Sequence, residues 1–254
     1  MQKIEQISRA DIPVTVDEYG EVGGALESAE RKIVSGQYSE ALETLDWVAQ
    51  SREFDFAENA SVEGRRGWCL ENLGRCEEAA AAYRAALRDD AGNPELLAGL
   101  GNVLWSLGDR AGAAGHWMQV ADMAGDDATT PRVLELAGWS LYRLGRLDEA
   151  EHAFRRAIEG SPMEPSARFD LGLVLLVAGR GREARQEYER AVEICTSYPR
   201  RDVPAAETHS GALAVALEDL VQATTTAGRA DRGAAKAIAL RLATAASVAR
   251  GSFS

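Results

Sequence analysis

The chain has 254 residues, of which 46% are hydrophobic and 27% charged, a composition typical of folded soluble proteins rather than disordered ones. Its 28 Lys and Arg against 40 Asp and Glu give a formal net charge of −12. Because phosphate binding needs a surplus of cationic side chains, this balance argues against nucleic acid as a partner.

The N-terminal residues 1–21 mix β-branched residues, Pro13, acidic residues and glycines without a helical period, so we interpret them as a poorly structured arm. They contain no apolar signal-like core, and nowhere do about 18 uninterrupted apolar residues occur. The three cysteines have no metal-like CxxC spacing. These features predict a reduced, cytoplasmic protein with no membrane partner.

Helix-turn-helix patterns follow in five ranges, 22–55, 60–93, 94–127, 131–164 and 165–198. In each, two amphipathic helical patterns meet at a glycine, namely Gly36, Gly74, Gly108, Gly145 and Gly179. A glycine recurs in the first helix at positions 67, 101, 138 and 172, with separations of 34, 37 and 34 residues. An alanine in the second helix keeps the same separations, at positions 79, 113, 150 and 184. Two landmarks in step indicate a true repeat, with three extra residues in the polar segment 126–130.

The C-terminal residues 199–254 continue with Ala-rich helical patterns that are interrupted at Gly228. Repeat arrays need end units whose outer face tolerates water. We therefore predict a degenerate sixth helix pair that acts as a C-terminal cap.

These landmarks make the chain resemble the tetratricopeptide repeat family, whose period is about 34 residues. Each landmark has a packing reason, because small residues let two helices approach and a large aromatic fills the gap that they leave. The aromatic positions are Tyr83, Trp117, Phe154 and Tyr188. The turn glycine supplies a positive φ at a helix end. The resemblance implies an all-α fold, a right-handed α-solenoid of stacked helix-turn-helix repeats.

Such stacking lines a concave groove with the first helices, and residues one, four and five places after the first-helix glycine should face it. Trp, Tyr and Arg are the residue types that most often dominate binding energy. The predicted partner-binding groove consists of Arg65, Trp68, Asn102, Trp105, Arg132, Trp139, Tyr142, Arg143, Leu173 and Leu176. The alternative is that these side chains pack between first helices, or that the chain's own termini cover them.

One family activity is not implied. Repeats that clamp the C-terminal carboxylates of heat-shock chaperones carry Lys and Asn at groove places where this chain has Gly64, Arg65, Ala98 and Gly99.

Catalytic and metal-binding patterns are missing from the sequence. His116, His152 and His209 lie in separate units, and none has a second His or Cys at i+3 or i+4. Phosphate-binding, hydrolase and metalloprotease motifs do not occur. We therefore expect no catalytic residues, no metal and no cofactor.

The predicted function is that of a non-catalytic scaffold or adaptor that binds a peptide or a segment of a partner protein in its groove. One alternative is a homo-oligomeric scaffold, in which the groove receives the end helix of a neighbouring copy. A second alternative is an accessory or regulatory subunit of an enzyme complex.

Overall fold

The computed structural model describes residues 16–51, 56–126, 129–197, 216, 220–221 and 235–243. Regular secondary structure throughout these ranges is helical, and no strand occurs in them. Five successive helix pairs are formed by α1 (Val16–Val34) and α2 (Tyr38–Ser51), α3 (Phe56–Asn72) and α4 (Cys76–Asp89), α5 (Pro94–Ser106) and α6 (Arg110–Asp122), α7 (Pro131–Arg143) and α8 (Leu147–Gly160), and α9 (Ser166–Val177) and α10 (Gly181–Ser197). The predicted all-α architecture of helix pairs is confirmed.

Two helices begin earlier than the sequence predicts. Helix α1 begins at Val16, so the predicted arm 1–21 extends too far, and α3 begins at Phe56 rather than at residue 60. Glycines at 20, 23 and 24 suggested a break, but a glycine inside a helix costs only about 1 kcal/mol relative to alanine and does not end it. Residues 1–15 and most of the predicted cap, 199–254, lie outside the described ranges.

The turn within each helix pair depends on its glycine. The five turn glycines have φ values between 72° and 88°, in the left-handed region that favours glycine. In the fourth pair, the N–H of Gly145 donates to the carbonyl of Tyr142, and the N–H of Arg146 donates to that of Leu141, each at 2.9 Å. This pairing ends α7 with a Schellman motif, and it confirms the role predicted for the turn glycine.

The predicted pairing of small and large residues is also present. A Cβ atom placed on Gly138 would lie 2.8 Å from the ring of Phe154, and one on Gly172 would lie 2.6 Å from the ring of Tyr188. The other two first-helix glycines meet the buried aromatic of their own pair in the same way. Each glycine therefore allows the second helix to approach closely enough to bury an aromatic side chain.

The chain divides into an N-terminal body, Met1–Ala91, and a C-terminal body, Gly92–Ser254. In the N-terminal body, α2 packs between α1 and α3, and α3 packs against α4. In the C-terminal body, consecutive helices pack from α5 to α10, and α7 also contacts α5 and α9. The first helices of the three C-terminal pairs therefore lie side by side.

Helical residues near the C-terminus extend the core of the C-terminal body. Leu220, Ile238 and Leu242 are buried in the same hydrophobic cluster as Leu175 and Leu176 of α9. Among the helices of the described ranges, none combines the length and apolarity required to span a membrane.

Candidate partner-binding site

The two predicted site residues of the N-terminal body, Arg65 and Trp68, lie on α3 and differ in environment. The guanidinium of Arg65 bonds the carboxylate of Glu30 on α1, with its Nε at 2.9 Å and a terminal nitrogen at 2.8 Å. The side chain of Trp68 is 47% exposed. Trp68 therefore presents apolar surface to solvent, whereas Arg65 already forms an ion pair within its own body.

Trp105 is the centre of the site in the C-terminal body. It lies near the C-terminal end of α5, is 37% exposed, and packs against the buried Trp117 of α6 with 5.5 Å between ring centroids. The guanidinium carbon of Arg110 lies 3.5 Å from the centroid of Trp105, and that of Arg143 lies 5.1 Å from it. Arg143 also lies 4.7 Å from the centroid of Trp117. Cation–π attraction therefore holds two arginines, from α6 and α7, against one indole pair.

A local change of helix cap explains the position of Arg110. Its neighbour Asp109 caps α6, because an oxygen of its carboxylate accepts the N–H of Gly112 at 2.9 Å. A Cβ atom on Gly112 would lie against the other carboxylate oxygen, so a larger residue there would displace the Asp109 side chain from its present position. Arg110 becomes the first helical residue, and its guanidinium donates back to the carbonyl of Trp105 at 3.1 Å.

The other helix pairs use the position after the turn glycine differently. In the second, fourth and fifth pairs it holds an arginine that bonds a glutamate three residues later, namely Arg75 with Glu78, Arg146 with Glu149 and Arg180 with Glu183. The third pair has Asp109 at this position instead. In the third pair the arginine therefore stands one position later, as Arg110, and lies on the indole of Trp105.

The electrostatics of this arginine pair are unusual for an acidic chain. Within the described ranges, neither Arg110 nor Arg143 has a carboxylate at ion-pairing distance. Burial lowers the pKa of the half-buried Arg143, Tyr142 opposes that shift, and the like charge of Arg110 adds to it. The two guanidinium groups are therefore a positive site without a counter-charge from the described chain.

The remaining aromatic site residues form a pair on α7. The rings of Trp139 and Tyr142 pack edge to face, 5.4 Å apart at an angle of 82°. Both are half-buried and rest on the hydrophobic core of the C-terminal body. Asn102 on α5 is also half-buried, and its carbonyl accepts the Ser106 hydroxyl at 3.1 Å. These side chains are thus held in place by packing and are only partly open to a partner.

Arg132 takes part in a polar chain across the N-terminal halves of the first helices. It lies 3.5 Å from Glu95 of α5 and 3.5 Å from Glu135 of its own helix. Glu135 is buried and accepts the hydroxyl of Ser166 at the start of α9. Burial raises the pKa of Glu135, while the bond from Ser166 and the charge of Arg132 oppose that shift. Arg132 is therefore balanced by carboxylates, unlike Arg110 and Arg143.

Leu173 and Leu176 do not belong to an accessible surface. Their side chains on α9 are 3% and 0% exposed, so the prediction that they line a groove is wrong. Leu176 lies in the cluster that contains Leu220, Ile238 and Leu242. The burial of Leu176 is in line with the alternative that the chain's own C-terminal residues cover a groove position.

Sequence reasoning missed Arg110 because groove positions were counted only along first helices. The sequence feature that could have indicated Arg110 is Asp109, which stands where three other helix pairs have the arginine of a Gly-Arg-x-x-Glu pattern. A capping residue at that position shifts the next arginine towards the preceding helix end.

A polar cavity of about 310 Å³ lies in the N-terminal body between α2, α3 and α4. The guanidinium of Arg66 lines it and bonds Asp46 at 2.7 Å and Glu63 at 2.9 Å. Burial lowers the pKa of Arg66, but the two carboxylates outweigh that effect and raise it. The half-buried cation of this cavity, Arg66, is thus already neutralised, in contrast to the arginine pair on Trp105.

Comparison with known proteins agrees with this architecture. A profile of the tetratricopeptide repeat matches residues 26–94, 65–128 and 136–199, which together are more than half of the chain. No curated protein has a sequence that matches this chain.

Three solved structures are similar at low sequence identity. TTC0263, a thermophilic TPR protein of Thermus thermophilus, is 19% identical over 76% of this chain and 99% of its own, with a TM-score of 0.58. Pseudomonas aeruginosa PilF is 16% identical over 89% of this chain and 92% of its own, with a TM-score of 0.53. A MamA fragment from Desulfovibrio magneticus RS-1 is 19% identical over 70% of this chain and 97% of its own, with a TM-score of 0.48.

At these identities the structural likeness concerns the fold alone, whereas the repeat profile identifies the family. The turn glycines, the close glycine–aromatic pairs and the side-by-side first helices are the features of its helix pairs. The chain belongs to the tetratricopeptide repeat family, which in general provides non-catalytic scaffolds for protein interaction.

Proposed function

We propose that this chain is a non-catalytic adaptor whose C-terminal body binds a segment of a partner protein along the first helices α5 and α7. The observation that carries the proposal is the environment of Trp105. This indole is 37% exposed yet held between buried Trp117 and two arginines. Tryptophan and arginine are over-represented among residues that dominate binding energy.

Preorganisation makes this surface suitable for binding. Trp105 is supported by Trp117, while Trp139 and Tyr142 hold one another on the core. Side chains that are already ordered lose little conformational entropy when a partner binds. Burial of the exposed apolar area then contributes about 25 cal/mol per Å² before the costs of association.

The proposal places the adaptor in the cytoplasm. Its cysteines are free, and burial raises the pKa of both Cys69 and Cys195 to about 11. The raised pKa makes these two thiols unreactive, and a reducing compartment is the one that maintains free cysteines.

Partner capture with a double variant tests the binding proposal. The bait is the full chain with a photo-crosslinking amino acid at the exposed Ser106, one residue after Trp105. We expect this bait to crosslink a partner protein, and we expect Trp105→Ala combined with Trp139→Ala to reduce the yield at least about tenfold, as loss of interface anchors does. Far-UV circular dichroism checks that each variant keeps its helices.

The matched control is Trp47→Ala, which removes an exposed tryptophan from α2 of the N-terminal body. It should leave the crosslinked yield at the parent level. If the double variant keeps its helices and captures the same partners at the same yield, the proposed binding surface is wrong. If Trp139→Ala lowers the helical signal, Trp105→Ala alone makes the same comparison, because its indole is more peripheral to the core.

A further inference from the structure

Among the described arginines, Arg110 and Arg143 are the two that lie on an indole ring. Many of the others pair with carboxylates, including Arg65, Arg66, Arg75, Arg132, Arg146, Arg155, Arg168 and Arg180. Arg110 and Arg143 lie on the indole of Trp105 instead. In a chain of net charge −12, two adjacent cations that no carboxylate of the described residues pairs with need a specific explanation.

Packing alone does not balance these charges. Arg143 is half-buried against both indoles, so its guanidinium has lost part of its hydration. The like charge of Arg110 makes this environment less favourable, and both effects lower the pKa of Arg143. A carboxylate that reached the site would interact strongly, because charges attract more strongly in a partly desolvated environment than in water.

We infer that Arg110 and Arg143 together select a partner segment that carries two acidic side chains, separated by one residue, in an extended conformation. This inference rests on the proposed function of the surface around Trp105 and adds the chemistry of its partner. The occupant is an acidic protein segment with side-chain carboxylates rather than a chain terminus.

The spacing of the cations supports two carboxylates. Both guanidinium carbons lie within 5.1 Å of the same ring centroid, one from the start of α6 and the other from the end of α7. Alternate side chains of an extended segment lie on one face, about 7 Å apart. Two acidic residues at i and i+2 therefore have the reach to bring one carboxylate to each guanidinium.

A C-terminal carboxylate fits this site less well. It is one group, so it balances one of the two cations and leaves the other without a counter-charge from the described residues. Two separate side-chain carboxylates balance both, and each can accept paired N–H donors from a planar guanidinium. The number of cations therefore favours an internal acidic segment.

Three fluorescently labelled peptides test the inference with the full-length chain. Two are acetylated and amidated, with Asp-Leu-Asp or Asn-Leu-Asn between Gly-Ser flanks, and the third ends in Asn-Leu-Asn with a free carboxylate. Fluorescence anisotropy measures the dissociation constants. We expect the Asp-Leu-Asp peptide to bind at least about tenfold more tightly than either of the others, since hydrogen bonds to charged groups contribute this much.

Charge-matched variants test whether the preference for the Asp-Leu-Asp peptide depends on Arg110 and Arg143. Arg110→Gln with Arg143→Gln should abolish the preference for Asp-Leu-Asp. Arg182→Gln with Arg190→Gln changes the net charge equally at two exposed positions of α10 and should preserve it. Should the first pair disturb folding by circular dichroism, Arg110→Lys with Arg143→Lys keeps both charges but removes the planar guanidinium, and it should reduce the preference at least about threefold.

Equal binding of the acidic and neutral peptides overturns the inference, as does loss of the preference in the control pair. Preference for the peptide with a free C-terminal carboxylate overturns it in favour of a chain terminus, and absence of binding by all three peptides also overturns it. These results leave the proposed function standing if Trp105→Ala still abolishes partner capture. Unchanged partner capture by Trp105→Ala removes the proposed function itself.

Discussion

At Gly101, a Cβ atom would lie 2.5 Å from the indole nitrogen of Trp117, which is closer than real side chains tolerate. The same missing Cβ recurs in the first helix of three other pairs, against Tyr83, Phe154 and Tyr188. Gly115, on α6, has no neighbouring atom within 4 Å of its Cβ position. One residue type therefore has opposite roles at two positions in the same helix pair.

Alanine substitutions at these two positions should have effects of opposite sign. We expect Gly101→Ala to lower the free energy of unfolding by about 1–3 kcal/mol, because an overpacked core forces Trp117 or α6 to shift. Gly115→Ala should raise it by about 0.5–1 kcal/mol, because alanine favours a helix interior and has room there. Urea denaturation followed by circular dichroism measures both. A stabilising Gly101→Ala would contradict the close approach of α5 and α6.

At the scale of the helices, one ion pair with two largely buried side chains joins α9 to α10. A terminal nitrogen of Arg168 lies 3.0 Å from the carboxylate of Glu187, and the two side chains are only 13% and 14% exposed. Among the residues that the structure describes, none forms a hydrogen bond with the Nε of Arg168. This guanidinium therefore depends on Glu187 for the compensation of its charge, unlike the arginines of exposed pairs.

Removal of that carboxylate should weaken the last helix pair. We expect Glu187→Ala to lower the free energy of unfolding by about 2 kcal/mol or more, because it leaves a largely buried cation without its partner. Glu189→Ala is the control, since it makes the same substitution at an exposed position of α10 and should have little effect. Urea titrations of both variants give the comparison. If Glu187→Ala and Glu189→Ala unfolded at the same urea concentration, the pair of Arg168 and Glu187 would make no net contribution to the free energy of unfolding.

For the whole molecule, charge argues against association of identical copies. A net charge of −12 causes repulsion between chains, and Leu176, a residue of the predicted groove, is already buried in the chain's own core. We expect light scattering after size exclusion to give the mass of one chain at two protein concentrations. A mass that rises with concentration would instead support the self-assembling scaffold, with a neighbour's helix as the occupant of the groove.

The repeat framework was accessible from sequence because its determinants are local. The glycine at position 138 and the aromatic at 154 are close in the chain and pack within one helix pair, so spacing predicted their contact. Arg110 was not accessible in this way, since its position results from the cap that Asp109 forms and from the end of the preceding helix. Arg143 joins it only because α7 packs beside α5.

Sequence alone determined the helix pairs, their turns and their family, because a repeated spacing of small and large residues specifies contacts inside each pair. Tertiary structure decided which first-helix side chains stay accessible. Leu176 belongs to the same hydrophobic cluster as Leu220 and Ile238, which are more than 40 positions later in the chain, and no local pattern encodes that assembly. It likewise decided that two arginines from different helices meet on Trp105, because that convergence depends on how one helix pair stacks on the next.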